Sequence, residues 1–402
     1  MYTYKTVTAV SDFGAKIVKL ICHLPQSLAI GQVKPEQWNV HVTRRNPHTG
    51  EVLNLRIVYH SPETAPAMAY RTITAAYICD EKGAPVAKGE YLALELDEND
   101  SQAAAYATIY RMNEFVTCEY RVTQVAPIGH LSGMVFDEFD GDLCPQTERW
   151  ENVTPVGKAE PVHYGFYTPD RGEGDRPLVI WLHGAGEGGE DARIAYMGNN
   201  VVNLSSDEIQ DFFGGAYVLA PQTPTFWMND GSGEYGRTGK SIYVEQLMAL
   251  IEEFVSTHPI DRSRIYLGGC SNGGFMTMRM GVDYPGYFAA LYPMCEALYD
   301  ECISDEQIEE LKKTPIWFVH AMTDGVVNPE QTSVPTYKRL IAAGAENVHH
   351  TYIDDRPPRK MVNHFCWVPG LANKVEQDFD GKPVLLNGEP TTLFQWLAAQ
   401  KK

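Results

Sequence analysis

The sequence predicts two domains of different class. An all-β sandwich is expected over residues 1–135, and an α/β domain with a mostly parallel sheet wrapped by helices on both faces over 161–402, with a linker at 136–160 between them. Three observations predict this. At 402 residues the chain exceeds what a single core usually supports. Apolar residues alternate with period two up to about residue 130. Beyond residue 160, short continuous apolar runs alternate with helical stripes, the pattern of a parallel sheet covered on both sides.

In the first domain, "WNVHVTR" puts Trp38, Val40 and Val42 on one face and Asn39, His41 and Thr43 on the other. "LNLRIVY" repeats the pattern with Leu53, Leu55 and Ile57, and the turn-prone "NPHTGE" joins the two runs. "YLALELDEND" alternates Leu92, Leu94 and Leu96 against Tyr91, Ala93 and Glu95, after the turn "DEKGAP". Several short strands with turns between them read as an antiparallel, immunoglobulin-like sandwich. From Asp137 to Glu160 the chain turns acidic and irregular, which predicts the linker, draped on a surface by Phe139, Leu143 and Trp150.

In the second domain, "RPLVIWL", "AYVLAPQ", "RIYLGG", "FAALYPM", "PIWFVHA" and "VHHTYI" read as strands. Residues 241–257 place Val244, Leu247, Met248, Ile251, Phe254 and Val255 on one helical stripe. "VPTYKRLIAAGA" is a helix with Pro335 in its first turn, and "TTLFQWLAAQ" closes the chain as another. The segment "EALYDECISDEQIEELKK" opens a short helix with a capping box at Ser304 and Gln307, as a partial lid or an ordinary crossover helix.

Composition narrows the function. Hydrophobic content of 44% and charged content of 21% are those of a soluble globular protein. A net charge of −19 argues against nucleic-acid partners and against docking on anionic membranes. The N-terminus lacks the basic, apolar and small-residue regions of a secretory signal, so a cytoplasmic protein is expected, or a secreted one if a leader has been removed. Eight cysteines without a CxxC pair predict neither a disulfide scaffold nor a zinc or redox motif. Free thiols are expected throughout, with Cys295 and Cys302 able to pair in an oxidising compartment.

The stretch "LGGCSNGG" sets Cys270 beside Ser271. Centred on Cys270, the pentapeptide lacks its second glycine. Centred on Ser271 it is Gly269-x-Ser271-x-Gly273, complete, and it follows a buried strand and runs into a helix-compatible segment. Ser271 is therefore the expected nucleophile, and Cys270 a small buried apolar residue. A serine needs a base held by a third group. Asp324, in the loop after "PIWFVHA", is the expected acid, with Asp354 and Asp355 as rivals. His364, between the last strand and the final helix, is the expected base, while His349 and His350 lie inside a strand and read as structural. Oxyanion donors are expected from the amide of Asn272 and from the glycine-rich "WLHGAGEGGED", where Ala185 leads and Gly186 follows. That loop fits neither phosphate-binding frame, and its His183 and Glu187 are expected to orient it.

With HGAGEGG, APQ, GCSNGG, an Asp after a FVH-type strand and a late HxxW, the second domain resembles the α/β-hydrolases of the feruloyl esterase and polyhydroxybutyrate depolymerase type. The whole is similar to two-domain bacterial esterases that carry an N-terminal immunoglobulin-like domain. The family's HGxGExG loop matches His183, Gly184, Gly186, Glu187 and Gly189, and its triad matches Ser271, Asp324 and His364. The chain departs at Asn363, where a glycine is common. The resemblance implies hydrolysis of small-molecule carboxylic esters with no metal and no organic cofactor.

Phe226, Trp227, Tyr235 and Trp367 are the expected substrate-binding walls, suiting short acyl or aryl, feruloyl-like, esters; capping the core is their alternative role. The N-terminal sandwich has three readings: shaping the active-site entrance, mediating homo-oligomerisation, or binding a polymer. The rival activities are a serine peptidase of the prolyl-oligopeptidase type and a polyester depolymerase. A non-catalytic binding protein with a hydrolase fold is the remote alternative.

Overall fold

The computed structural model describes residues 2–56, 62–155, 161–357 and 362–402. It divides into two compact units, Met1–Glu148 and Arg149–Lys402.

The first unit is built from β1 (Tyr2–Ser11), β2 (Gly14–Ala29), β3 (Trp38–Arg45), the short pair β4 (Asn54–Arg56) and β5 (Thr64–Pro66), β6 (Met68–Arg71), β7 (Ile73–Cys79), β8 (Lys88–Leu96), the pair β9 (Tyr106–Ile109) and β10 (Met112–Phe115), β11 (Thr117–Gln124) and β12 (Val135–Leu143). Eight of these strands form one sheet in the order β6-β3-β11-β12-β1-β2-β8-β7. Trp38, Val40, Val42, Leu92, Leu94 and Leu96 are all buried, on the face the alternation assigns them. The strand expected over "LNLRIVY" is present only as far as Arg56, and Ile57 lies outside the described residues.

Two expectations are corrected here. The sheet is not wholly antiparallel, because β1 runs parallel to β12. And β12 comes from the segment read as a linker: residues 135–143 are an interior strand, followed by Trp150–Val153 as a strand of the second unit. An acidic strand is tolerated there because its carboxylates find partners. Asp142 accepts from the hydroxyls of Thr6 and Thr8 at 2.5 and 2.8 Å, Asp137 pairs with Arg121 at 2.9 Å, and Phe136 supplies the buried anchor.

The second unit carries the eight-stranded sheet β13 (Trp150–Val153), β14 (His163–Tyr167), β15 (Arg176–Leu182), β16 (Tyr217–Gln222), β17 (Ile260–Cys270), β18 (Ala290–Met294), β19 (Ile316–Ala321) and β20 (Val348–Ile353). The order is β13-β14-β16-β15-β17-β18-β19-β20; the pairs β13–β14 and β14–β16 are antiparallel and the rest parallel. The helices are α1 (Arg193–Met197), α2 (Asp207–Phe213), α3 (Val244–Thr257), α4 (Asn272–Asp283), α5 (Asp305–Leu311), α6 (Ser333–Ala342), α7 (Trp367–Leu371) and α8 (Leu393–Ala398). Leu247, Ile251 and Phe254 of α3 join the strand residues Ile180 and Leu267 in one core. The α5 helix, closed by the Ser304–Gln307 capping box, buries Ile308 and Leu311 in that same core and so packs as a crossover helix. No helix among the described residues is long and apolar enough to cross a membrane.

A parallel sheet aligns the carboxyl ends of its strands along one edge, where the following loops converge. The loops after β15, β16, β17, β19 and β20 meet in this way, and they contain His183–Glu187, Thr223, Ser271, Asp324 and His364.

Candidate functional site

Ser271 stands alone between β17, which ends at Cys270, and α4, which starts at Asn272. Its φ of 55° and ψ of −112° are far from ordinary L-residue conformations, so the turn is strained and is held by its surroundings. A hydrogen bond from its N–H to the Met294 carbonyl at 2.9 Å is one restraint. The flanking glycines are required by space: a Cβ on Gly269 would stand 2.4 Å, and one on Gly273 1.9 Å, from the carbonyl oxygen of Leu182. The same turn that presents Ser271 buries Cys270, whose thiol is pushed well above its ordinary pKa by desolvation and by nearby Glu187. The two neighbours differ in environment as well as in side chain.

His364 places Nε2 at 2.9 Å from Ser271 Oγ and Nδ1 at 2.8 Å from Asp324 Oδ2. Ser271 and His364 are half-buried, whereas the Asp324 carboxylate has no exposure. Burial alone would raise the pKa of Asp324. Hydrogen bonds from His320 and His364, the charge of His364 and the amide of Val327 outweigh it and hold the group well below the usual carboxylate range. Oδ1 accepts from the amides of Val326 and Val327 at 2.8 and 2.9 Å. The carboxylate is thus ionised and fixed, able to orient an imidazole and to stabilise its charged form.

The loop after β15 is tied down from several sides. His183 donates from Nδ1 to the Gly184 carbonyl at 2.6 Å and accepts the Thr223 amide at Nε2 at 3.1 Å; burial pushes its pKa down to about 4, so it is neutral at working pH. Glu187 accepts the Gly184 amide at 2.8 Å and an Asn199 side-chain N–H, and burial pushes it up to about 7 against those two bonds. Asn199 in turn accepts the indole N–H of Trp367 at 2.9 Å. The loop bearing Ala185 and Gly186 is therefore linked through Asn199 to the helix just beyond His364. Asn272, the first residue of α4, has an amide that its position leaves without an intrahelical acceptor.

The aromatic residues expected to form substrate walls divide. Trp227 is fully buried in the main core, its ring 5.2 Å from that of His183 and 6.2 Å from that of Tyr243, so the reading of it as a substrate wall is corrected. The core-capping role holds for it because its amide is also bound by Asn272 Oδ1, which draws the loop inward. Phe226 is buried and packs at a tilt, ring centroids 4.2 Å apart, against Tyr235, which is half exposed. Trp367 is buried with its ring edge-on to His364 at 5.4 Å, so it braces the base more than it lines a wall. Phe365, beside His364, is 45% exposed and belongs to no earlier expectation.

Three polar residues whose supporting roles the sequence does not reveal hold the arrangement together. Asn363 has φ 50°, the left-handed conformation that asparagine tolerates, which accounts for a non-glycine residue there. Its side-chain oxygen also accepts the Gly325 amide at 3.0 Å, a bond glycine could not make, joining the loop of His364 to that of Asp324. Asp355, considered as a rival acid, instead accepts from the amides of Thr323, Val362 and Asn363 at 3.0, 2.8 and 2.7 Å and acts as a clamp between these loops. His320 contacts the same oxygen of Asp324, Oδ2, that His364 does. The signal for it was its place one strand-end before the acid, in "FVHAMTD".

Cys295, Asp324 and His364 offer donor atoms within 4.8 Å of one another. Both ring nitrogens of His364 are engaged in hydrogen bonds, and desolvation with Cys366 nearby keeps the Cys295 thiol protonated, so the set suits proton transfer better than cation binding. All eight cysteines are free thiols; Cys295 neighbours Cys366, and the Cys302 thiol donates to the Arg237 carbonyl at 3.3 Å.

Residues 3–137 match the family model described as the esterase Ig-like N-terminal domain. The chain is 31% identical over 147 residues to a poly(3-hydroxyoctanoate) depolymerase of Pseudomonas fluorescens, a match covering 34% of the chain and 51% of that protein. It is 25% identical over 130 residues to feruloyl esterase B of Thermothelomyces thermophilus, 31% of the chain and 40% of that protein. The chain thus spans about half the length, or less, of these relatives. A crystal structure of a thermostable esterase covers 100% of both chains with a TM-score of 0.75 at 22% identity, a likeness of fold. The resemblance read in the sequence therefore stands: an esterase-type immunoglobulin-like domain opens a chain that shares sequence with polyhydroxyalkanoate depolymerases and feruloyl esterases and has the fold of an esterase.

Proposed function

We propose that the protein is a serine carboxylesterase acting on short acyl or aryl, feruloyl-like, esters. The observation that carries this reading is the unbroken chain Ser271–His364–Asp324, at 2.9 and 2.8 Å, mounted on a strained strand-to-helix turn. Ser271 Oγ attacks the ester carbonyl while His364 Nε2 takes its proton, and Asp324 holds the imidazole in the tautomer that allows this. The tetrahedral oxyanion is met by the amides of Asn272 and of Ala185, with Gly186 as the alternative in the latter loop. Collapse expels the alcohol, protonated by His364. A water deprotonated by the same histidine then releases the acid and restores Ser271. None of these steps calls for a metal or an organic cofactor.

The acyl or aryl preference draws on the half-exposed Tyr235 packed at a tilt against Phe226 and on exposed Phe365 next to the base. It also draws on the sequence likeness to a poly(3-hydroxyoctanoate) depolymerase and a feruloyl esterase. The test is initial rates on p-nitrophenyl esters from acetate to decanoate and on methyl ferulate, with proline anilides and a polyhydroxyalkanoate film beside them. Fast turnover of the short or aryl esters is expected, falling at least about 10⁴-fold in Ser271→Ala. Anilide cleavage without ester cleavage would move the assignment to a peptidase. Film erosion with slow soluble-ester turnover would move it to a polyester depolymerase.

A further inference from the structure

We infer that His320 is a positioning residue for the acid of this site: a second imidazole that donates to Asp324 and fixes the carboxylate that His364 uses. This rests on the serine-hydrolase reading above.

His320 is the penultimate residue of β19, and its side chain has no solvent exposure. Its Nε2 lies 3.1 Å from Asp324 Oδ2 and 3.2 Å from the Val327 carbonyl oxygen. Both are acceptors, so the proton sits on Nε2. Its Nδ1 lies 2.7 Å from the hydroxyl of Ser333, the first residue of α6, which can donate to it. The partners therefore place a proton on Nε2, directed at the carboxylate. The result is a relay of five side chains, Ser333–His320–Asp324–His364–Ser271, in which Oδ2 of one buried carboxylate receives an N–H from each of two imidazoles.

The consequence is positional: the Nε2–H bond restrains the Asp324 carboxylate in the orientation that faces His364. Among the described residues, the ionisable groups near His320 besides Asp324 include His350 of β20, which burial drives well below its ordinary pKa, and Tyr352, the cross-strand partner of His320, whose pKa burial raises. An apolar side chain of the same size would fill the space but restrain nothing, and the experiment separates the donor from the volume.

The experiment compares His320→Gln, which keeps an N–H near the Nε2 position, with His320→Met, which keeps volume without a donor, in the full chain beside the parent and Ser271→Ala. Rates on a short p-nitrophenyl ester are measured across pH, with thermal unfolding as the check on folding. His320→Met is expected to lower kcat about 10- to 100-fold with KM within about 3-fold. With one donor gone, Asp324 binds the imidazolium of His364 more strongly, so the acid limb of kcat/KM moves to higher pH. His320→Gln is expected to recover most of kcat and the parent limb. Parental kcat and an unmoved limb in His320→Met would overturn the inference, as would equal impairment of the Met and Gln variants with unmoved limbs. Should His320→Met fail to fold, ¹⁵N-histidine NMR of the parent decides: a proton on Nε2 of His320 is expected under the assay conditions, and a ring whose Nε2 carries no proton sinks the idea. Ester turnover surviving in Ser271→Ala would sink the serine-hydrolase reading instead, and the NMR result would still judge His320 on its own.

Discussion

Both units are built on an eight-stranded sheet, yet they use buried charge in opposite ways. In the first unit the Arg71 side chain, with no exposure, binds Asp100 at 3.0 Å, the Tyr120 hydroxyl at 2.8 Å and the carbonyls of Asp97 and Ile17 at 2.9 and 3.2 Å. That guanidinium stitches separate strands together and has no partner left to offer a ligand. In the second unit the buried Asp324 is also fully hydrogen-bonded, but one of its partners is the half-buried His364, which faces Ser271. The difference comes from strand direction. Mostly antiparallel strands joined by near neighbours send their ends both ways, whereas parallel strands bring every carboxyl end to one edge. A buried charge in the first setting ties the sheet, and in the second it can be handed to chemistry.

The largest expected effect tests the chemical half of that contrast. Asp324→Asn should lower kcat about 10³- to 10⁴-fold at neutral pH, because the amide cannot stabilise the imidazolium and presents a donor where His320 and His364 also donate. Thermal unfolding should still show a folded second unit. The structural half is tested by Arg71→Met. Removing the buried guanidinium leaves the Tyr120 hydroxyl and the carbonyls of Asp97 and Ile17 without its bonds and breaks the pair with partly exposed Asp100, which keeps its bonds from Thr72, at a cost of about 1–3 kcal/mol. The expected outcome is a marked loss of stability of the first unit by calorimetry, where the two units are followed as separate transitions. Turnover per folded molecule should stay at the parental level. A fall in kcat at a temperature where both units remain folded would break the comparison.

What the sequence made legible follows the same divide between local pattern and distant pairing. The period-two runs around Trp38 and Leu92 and the buried runs at 176–182 and 264–269 are local signals, and each appears as a strand. The pentapeptide around Ser271 is local too, since strand, tight turn and helix lie within a few residues. The order expected of an acid and a base along the chain pointed to Asp324 and His364, whose side chains the structure brings within a hydrogen bond of one another. What was hidden depended on partners far away in sequence. The acids of β12 are satisfied by Thr6, Thr8 and Arg121, so the segment read as a linker is a strand. Trp227 lies in a loop with exposed-looking neighbours, yet Asn272 draws it into the core. His320 sits in an apolar strand, and only the fold shows what its ring touches.

The smallest expected effect addresses the pair of neighbours at the turn. Cys270 and Ser271 are adjacent, but burial keeps the Cys270 sulfur protonated, and the space it fills lies against the oxyanion loop, 3.6 Å from where a Cβ on Gly184 would stand. A thiol in that state is neither a nucleophile nor a general acid, so its contribution is packing. Cys270→Ala should therefore cost about 1 kcal/mol of stability from the small cavity it leaves. Because the strained turn is set by the glycines and by the Met294 carbonyl, neither of which the substitution touches, ester turnover should stay within about 3-fold of the parent. A much larger loss of kcat at unchanged stability would mean that the sulfur holds the Gly184–Gly186 segment in place for the oxyanion, and the boundary between packing and chemistry would then run through Cys270.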